Sequence, residues 1–416
     1  MRMGMRDRRL RGRVMAAIAL LGATAAQATP LLRQGDRMVF LGDSITQQRI
    51  YTRYVMNYFA LRHPELGVTF RNAGVGGDTA IGGIKRLNTD VLNAKPNVVS
   101  ICFGMNDAGY AAFDEARYEA YLAAMTVLLY DLRRQGVKVV LLTPGPVDPD
   151  KGASWLDWRM YNDVLRRYAD GVKELAKRKG VPVYDIYSLM LDVQTRAKAA
   201  DAGFTMIPDA VHPSPPGQAL MAYGLLKALG CDEPASGLEI DATSRTVSAD
   251  RCAVDDLWVT ADAVRFVRRD EALPTDCDPE AAAVFGYAPI VEELNRYPFR
   301  VTGLRKGRWR LTVEGMEVGT FTAEALAEGV NLALQPGPWQ ALGKAVNDLA
   351  AEQEEIYLQK RELGGVFGWI PTPPPEAEVE KRALMDKLDE ATAARDRKIA
   401  DLVSNRTWDW DLAIVP

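Results

Sequence analysis

The sequence has little of what metal and nucleotide sites are built from. Among its 416 residues there are only two histidines, His63 and His212, and four cysteines. No H-x-x-H or C-x-x-C spacing occurs, so the usual zinc ligands are not assembled and we expect no metal site. The phosphate-binding motif G-x-x-x-x-G-K-[ST] is also missing. Thr79 stands where the dinucleotide pattern G-x-G-x-x-G needs its last glycine, which argues against a nucleotide loop.

Long apolar runs are missing after the first 28 residues, so we expect no integral membrane segment in the mature chain. Residues 1–28 carry six arginines and one aspartate, followed by a short apolar run that ends in Ala26-Gln27-Ala28. A basic start, an apolar stretch and a small-residue cleavage site are typical of a secretory signal peptide. We therefore predict export to the periplasm or the medium. The alternative is a disordered basic tail.

Excess positive charge is missing too. The formal net charge of the chain is −4, and removal of residues 1–28, which carry +5, leaves about −9. Such a balance argues against nucleic acid or an anionic membrane as a partner. Export permits disulfides. We expect Cys102, inside the apolar run VVSICFG, to be a free core thiol, and Cys252 and Cys277 to be the best candidates for a bridge.

Residues 36–230 alternate short apolar runs with longer helical patterns. The runs are RMVFLGDS, GVTFRNAG, NVVSICFG, VKVVLLTPG and VPVYDIY. Each is rich in Val, Ile, Leu or Phe on both sides, as strands buried on both faces should be. Five strands with helices between them predict an α/β fold, a parallel sheet with helices on both faces.

The rest of the chain changes character. Residues 237–335 show short strand patterns around tight turns, with VEGMEV as a hairpin centre, and residues 338–363 and 376–404 show helical patterns. We therefore divide the chain into a signal peptide (1–28), an α/β domain (29–233), a β-rich accessory domain (234–335) and a helical C-terminal extension (336–416). The helices could pack on the α/β domain or form a contact in a homo-oligomer.

Four polar clusters follow predicted strands, the fourth of them after the last strand, at or near the edge where functional groups gather in open parallel sheets. The first is GDSIT, in which Ser44 begins the next helix, where unpaired N–H groups favour negative charge. The second is NAGVGGDTA, in which Gly77 is best placed to present a backbone N–H. The third is FGMNDAG, in which Asn106 offers a side-chain NH₂. Taken singly, each is also compatible with an ordinary turn or helix cap.

The fourth cluster, IPDAVHPSPPG, carries His212 three residues after Asp209. Within one turn of helix-like backbone this spacing brings both side chains to one face. A carboxylate can then hold the imidazole in the tautomer that accepts a proton from a serine. The G-x-S-x-G elbow does not apply, since Thr46 replaces its last glycine.

GDSIT, NAGVGGDT, GMND and DAVHP, in this order, resemble the blocks of the SGNH/GDSL hydrolase family. The resemblance covers residues 36–230 and implies a flavodoxin-like three-layer α/β/α fold and a serine esterase without a cofactor. By this resemblance Ser44 is the nucleophile, His212 the general base and Asp209 the acid that orients it. The implied oxyanion donors are the Ser44 N–H, the Gly77 N–H and the Asn106 side chain, while Asp43 and Asp107 shape the turns.

The sequence constrains the substrate less than it constrains the type of reaction. The four clusters are surrounded by Gly, Asp, Asn and Thr rather than by a contiguous apolar loop. Together with export and an added β-rich domain, this favours a polysaccharide acetylesterase. The alternatives are a broad short-chain esterase or lysophospholipase/lipase on small-molecule esters, and a non-catalytic glycan-binding protein. Four tryptophans are either sugar-stacking or core residues: Trp155, Trp158, Trp408 and Trp410.

Overall fold

The computed structural model describes residues 31–368, 374–404 and 406–415. The signal peptide predicted at residues 1–28 lies outside these ranges. Across the described ranges, no helix combines the length and apolar composition needed to cross a membrane. The same ranges hold no group of three or more His, Cys, Asp or Glu side chains that could bind a metal ion.

Five parallel strands form the central sheet of the first half of the chain. They are β1 (Arg37–Gly42), β2 (Thr69–Gly74), β3 (Val98–Cys102), β4 (Lys138–Leu142) and β5 (Val183–Tyr184). Their order in the sheet is β2-β1-β3-β4-β5, and every pairing is parallel. All five residues of β3 are buried, as expected where helices cover both faces. The predicted five-stranded parallel sheet is confirmed.

Seven helices accompany this sheet. They are α1 (Ser44–Gln47), α2 (Ile50–Arg62), α3 (Ala80–Lys85), α4 (Glu115–Arg134), α5 (Trp158–Lys179), α6 (Ile186–Ala200) and α7 (Pro215–Ala228). Aspartates begin three of the longer helices, because the side chains of Asp114, Asp157 and Asp185 accept hydrogen bonds from first-turn N–H groups. Each parallel strand must be reached by a crossover, so the loops that follow the strands meet at one edge.

The middle of the chain is rich in strands, as predicted. It contains β6 (Gly237–Asp241), β7 (Thr246–Asp250), β8 (Cys252–Val259), β9 (Ala263–Asp270), β10 (Pro298–Thr302), β11 (Arg308–Val313), β12 (Met316–Thr322) and β13 (Val330–Asn331), with short helices α8 (Ile290–Leu294) and α9 (Ala323–Glu328). One sheet has the order β13-β10-β6-β7. The expected hairpin joins β11 to β12 through Glu314 and Gly315, whose φ angles of 50° and 73° suit a tight two-residue turn.

Two long helices follow, α10 (Pro338–Gly368) and α11 (Pro375–Ser404), which pack against each other, while α10 also packs on α2. A strand, β14 (Thr407–Val415), follows α11, where we expected a helical extension through residue 416. The expectation is wrong for this segment because Trp408, Trp410 and Leu412 are buried at every second position, the period of a strand.

Strand β14 lies in the middle of the other sheet, whose order is β12-β11-β14-β9-β8. It pairs antiparallel with both β11 and β9. Strand β14 therefore completes a sheet that begins some 150 residues earlier, at Cys252. The division of the chain at residues 233 and 335 stays a prediction, and β14 links the two parts that this division separates.

A second hydrophobic core, apart from that of the parallel sheet, fills the accessory region. It holds a fully buried ion pair, in which Arg268 Nε lies 2.8 Å from Asp270 Oδ1. The guanidinium also lies 4.4 Å from the ring centre of Tyr297 and 5.0 Å from that of Trp410. Because both charges are buried together, removal of either partner would leave an uncompensated charge.

All four cysteines lie in the described part of the chain, and each is a free thiol. Cys102 is buried in β3, as expected. The suggested Cys252–Cys277 bridge is contradicted. Cys252 packs against the second core and its thiol donates to the carbonyl of Gly237, at 3.2 Å, whereas Cys277 packs against the first core.

Candidate active site

The nucleophile candidate Ser44 lies on a tight turn between β1 and α1. A Cβ atom at Gly42 would come within 2.1 Å of Thr46 Oγ1 and 2.8 Å of the Cys102 carbonyl oxygen, so the turn requires glycine. Asp43 caps α1 by accepting a hydrogen bond from the Ile45 N–H at 2.9 Å. Ser44 begins α1, but this helix is only four residues long. Negative charge at Ser44 would therefore be stabilised by nearby backbone N–H groups and not by the dipole of a long helix.

Asp209 and His212 lie in the loop between α6 and α7, not directly after a strand. Asp209 Oδ1 accepts hydrogen bonds from the N–H groups of Val211 (3.0 Å) and His212 (2.7 Å). Ala210, between them, has a φ of 74°, so this is an Asx-type turn rather than the helical turn we expected. The turn still places both side chains on the same side.

The structure brings Ser44, His212 and Asp209 into one chain of contacts. His212 Nε2 lies 2.8 Å from Ser44 Oγ, and His212 Nδ1 lies 2.7 Å from Asp209 Oδ2. When Nδ1 carries the proton and donates to Asp209, Nε2 is free to accept a proton from the serine hydroxyl. Two side chains 168 residues apart in sequence therefore meet at the rim of the sheet.

The local hydrogen bonds keep Asp209 ionised. Partial burial acts to raise the pKa of this carboxyl. The N–H groups of His212 and Val211 and the imidazole ring outweigh it, and the pKa falls below the usual value for aspartate. An ionised Asp209 stabilises the positive charge that His212 acquires when it takes a proton.

Gly77 and Asn106 lie on two loops that are joined to each other. Gly77 is exposed, with a φ of 70°, in a turn closed by the Asp78 N–H donating to the Val75 carbonyl at 3.2 Å. Asn106 Nδ2 donates to the carbonyl of Asp78, next to Gly77, at 2.9 Å. An amide NH₂ has two hydrogens. The second hydrogen of Asn106 is the one that an oxyanion would use.

The two supporting aspartates, Asp43 and Asp107, accept hydrogen bonds from backbone N–H groups of the loops around the site. Asp107 accepts hydrogen bonds from the N–H groups of Ala80 (2.9 Å) and Gly104 (3.0 Å), which joins the loops after β2 and β3. Burial raises the pKa of Asp43 to about 7 and that of Asp107 to about 6. Both carboxyl groups are therefore structural acceptors with little access to water.

Sequence reasoning missed two side chains that hold this site. The hydroxyl of Tyr110 donates to Asn106 Oδ1 at 3.1 Å, which leaves the NH₂ end of the amide on the carbonyl of Asp78. Arg86 reaches the Asp78 carboxylate (2.7 Å) and the carbonyls of Ala73 (2.6 Å) and Gly42 (3.0 Å). Tyr110 directly follows the FGMNDAG cluster and Arg86 lies outside the four clusters, but in both cases only the tertiary fold reveals these contacts.

Helix α10 also reaches the back of the site. Glu354 Oε1 accepts from Thr52 Oγ1 at 2.5 Å, and Thr52 in turn accepts from Asn72 Nδ2 at 3.1 Å. The same Asn72 amide donates to the carbonyl of Thr46 in α1, at 2.8 Å. Arg361 donates to the carbonyl of Gly74, at the end of β2. The C-terminal helices are therefore packed on the enzyme, one of the two arrangements we considered.

Of the four tryptophans considered for sugar stacking, Trp155 is 64% exposed. Trp158, Trp408 and Trp410 are buried, and the last two belong to the second core. For these three, the alternative that they are core aromatics is correct. Their large apolar area is used for packing.

Residues 40–220 match the family described as "GDSL-like Lipase/Acylhydrolase family". This part of the chain is a domain of the GDSL family. It contains the nucleophile turn, both oxyanion-candidate loops and the Asp209–His212 turn. The SGNH/GDSL resemblance drawn from the four sequence blocks is confirmed.

Curated relatives of the GDSL domain include an acetylxylan esterase from Geobacillus stearothermophilus. It is 25% identical over 223 residues, which are 47% of this chain and 94% of that protein. Another is the uncharacterized lipoprotein YqeF of Bacillus subtilis (strain 168), 26% identical over 221 residues, which are 46% of this chain and 88% of that protein. The domain's family and relatives support a carboxylic ester hydrolase.

A solved structure resembles nearly the whole chain. It is described as a gut microbial diltiazem-metabolizing enzyme, with a TM-score of 0.82 and 26% sequence identity. The match covers 94% of this chain and 100% of that one. The accessory strands and C-terminal helices therefore recur, together with the GDSL domain, in another enzyme.

Proposed function

We propose that this protein is an exported serine esterase that removes acetyl groups from carbohydrate. The observation that carries the serine mechanism is the unbroken contact chain from Ser44 Oγ through His212 to Asp209. A hydroxyl, an imidazole and an ionised carboxylate in this order are what acyl transfer through a serine needs.

In the first step, Ser44 Oγ forms a bond to the ester carbonyl carbon while His212 Nε2 takes the hydroxyl proton. The resulting oxyanion is stabilised by the Ser44 N–H, the Gly77 N–H and the free hydrogen of Asn106. Collapse of this intermediate breaks the bond to the alcohol, which leaves with the proton from His212. Water then repeats the sequence, and acetate is released with Ser44 regenerated.

Two observations favour a short acyl group. The loops around Ser44 are rich in Gly, Asp, Asn and Thr, a composition that suits a short acyl group better than a long apolar chain. The apolar cavity of about 170 Å³ between α2 and the C-terminal helices is lined by residues such as Phe59, Val346 and Val403, and none of the site residues borders it. The acetylxylan esterase relative supports acetyl as the group and a polysaccharide as its carrier.

A broader esterase on small molecules is the second candidate. It is favoured by the likeness of nearly the whole chain to the diltiazem-metabolizing enzyme. For this candidate, a β-rich accessory region does not by itself indicate a polysaccharide substrate. The two candidates share the mechanism and differ in the alcohol, and in the range of acyl groups, that the enzyme accepts.

The test compares acetate release from acetylated xylo-oligosaccharides, from diltiazem and from p-nitrophenyl esters of increasing chain length. We expect Ser44→Ala to abolish every activity of the enzyme, with Ser248→Ala, an exposed serine on β7, as the matched control. Hydrolysis by Ser44→Ala at the wild-type rate would refute the serine mechanism. Faster turnover of diltiazem than of the xylo-oligosaccharide would favour the second candidate.

Export is a separate part of the proposal. It is supported by the basic and apolar pattern of residues 1–28 and by a relative described as a lipoprotein. Expression of the full chain followed by fractionation and N-terminal sequencing tests it. We expect a mature chain that begins at Thr29, and recovery of uncleaved chain in the cytoplasm would contradict export.

A further inference from the structure

An exposed tryptophan, Trp155, lies in the segment between β4 and α5 and packs against buried aromatic residues. The indole of Trp155 is 64% exposed, although the neighbouring Trp158 and Tyr161 are buried. Its ring packs edge-on against Trp158, with centroids 5.2 Å apart and an interplanar angle of 74°. Trp158 is itself held by a hydrogen bond from its Nε1 to the carbonyl of Ala153, at 2.7 Å. The exposed face of Trp155 is therefore presented by a packed loop.

This loop adjoins the active site through Tyr110. The centroids of Trp155 and Tyr110 lie 6.1 Å apart, and Tyr110 stacks on the buried Tyr161 at 5.1 Å. The Tyr110 hydroxyl contacts Asn106, the side chain proposed to bind the oxyanion, at 3.1 Å. Burial raises the pKa of Tyr110 to about 12, and the nearby charges of Asp43 and Asp209 add to the effect.

We propose that Trp155 and Tyr110 form a subsite that binds the ring of the alcohol part of the ester by stacking. This inference rests on the proposed esterase function. Acetyl has no ring, so we assign these two aromatic side chains, whose ring planes are inclined at 59°, to the group that leaves. A large aromatic side chain exposed to water beside a reaction centre contributes binding energy when a flat, apolar ring face covers it. The face of a pyranose and an aryl ring both offer this chemistry.

The kinetic test uses three acetates: an acetylated xyloside, p-nitrophenyl acetate and ethyl acetate, which has no ring. For Trp155→Ala we expect kcat/KM on the ring-bearing esters, relative to ethyl acetate, to fall about tenfold, mostly through KM. Trp155→Phe should recover part of this loss. Trp258→Ala, which removes a half-exposed tryptophan on β8, is the matched control and should keep the wild-type ratio.

The possible results distinguish a subsite for sugar rings from a subsite for aryl rings. Loss on the xyloside alone assigns the subsite to sugars, and loss on p-nitrophenyl acetate alone assigns it to aryl groups. An unchanged ratio for both, or an equal loss on all three esters, would overturn the proposal. The first of these results would leave Trp155 to some other contact, such as a protein partner.

A binding measurement separates failure of the subsite from failure of the proposed function. Calorimetry with unacetylated xylo-oligosaccharide and with p-nitrophenol compares Ser44→Ala with Ser44→Ala/Trp155→Ala, neither of which needs to turn over. We expect the second variant to bind the preferred ring about tenfold more weakly. If the wild-type protein hydrolyses esters but the two variants bind equally, the subsite is wrong and the esterase proposal stands.

Discussion

At the scale of single residues, the candidate site depends on how each side chain is held. Asn106 illustrates this, because its amide is held at both ends, by the carbonyl of Asp78 and the hydroxyl of Tyr110. A donor fixed before the reaction needs no reorganisation when charge develops. Two predictions separate the donor from the group that orients it.

Replacement of Asn106 by alanine should lower kcat by about 10²–10³, since an oxyanion donor is lost. KM should change much less, because the interaction strengthens in the transition state. Steady-state kinetics on p-nitrophenyl acetate measures both constants. Asn88→Ala, on the segment between α3 and β3, serves as a matched control. A loss confined to KM would mean that Asn106 binds the substrate rather than the oxyanion.

Replacement of Tyr110 by phenylalanine keeps the ring and removes only the hydroxyl. We expect kcat to fall about three- to tenfold, in line with the loss of one hydrogen bond that orients the amide. In the double variant with Asn106→Ala the change at Tyr110 should have no further effect, because its partner is gone. Additive losses in this cycle would show that Tyr110 acts independently of Asn106.

Residues in the four sequence blocks could be found from the sequence because each block combines special turn chemistry with reactive groups. Ser44 follows a glycine that the turn requires, and His212 is one of only two histidines. Tyr110 and Arg86 could not be found in this way. Their contacts depend on how loops from different strands meet, and a tyrosine or an arginine is compatible with many surroundings.

At the scale of elements, helix α10 is the part of the fold that the sequence placed least well. Its pattern predicted a helix, but not that Glu354 would be buried against Thr52, 302 residues away. Long-range contacts of this kind follow from packing between whole helices, for which a helical period gives no partner. Glu354 lies in the charged stretch AEQEEIYLQK, where nothing in the sequence marks this glutamate as buried.

Burial raises the pKa of Glu354 to about 7, against the opposing effect of Arg49 and Arg53, from an ordinary value of 4.5. The folded protein therefore takes up a proton that the unfolded chain does not bind between about pH 4.5 and 7. This difference lowers the free energy of unfolding as the pH rises through the window, by an amount on the order of 3 kcal/mol.

Glu354→Gln should remove this part of the pH dependence, because the amide cannot ionise. Urea unfolding at pH 5 and pH 8 measures it, and the variant should lose less stability between the two pH values than the wild type. Glu355→Gln is the matched control, since Glu355 is half-exposed in an ion pair with Arg49. An unchanged difference in Glu354→Gln would show that the buried carboxyl does not titrate in this range.

At the scale of the whole molecule, two cores meet in one chain, and β14 belongs to the second. Trp410 on β14 is buried, with its ring stacked on Phe266 and Trp339 at 5.7 and 5.8 Å. The sequence TWDWDLAIV shows the alternation of a strand, so this element could have been predicted. Its position between β11 and β9 could not, since pairing partners are set by the whole sheet.

Trp410→Ala should lower the free energy of unfolding by about 3–5 kcal/mol, because it opens a cavity and uncovers the Arg268 guanidinium. Denaturant unfolding followed by far-ultraviolet circular dichroism measures this. Trp258→Ala, on the surface of β8, should cost about 1 kcal/mol or less. Equal losses in the two variants would contradict the importance of Trp410 in the core.

The position of β14 also has a consequence during protein synthesis. The strands β11 and β9 flank β14, and the edge that each turns toward β14 stays unpaired until residues 407–415 have been made. A chain that is cut or stalled before Thr407 therefore exposes two open strand edges and the apolar surface between them. Such edges are templates for aggregation and sites for proteolysis. We therefore expect a variant that lacks residues 407–415 to aggregate and to be degraded faster than the chain that contains them.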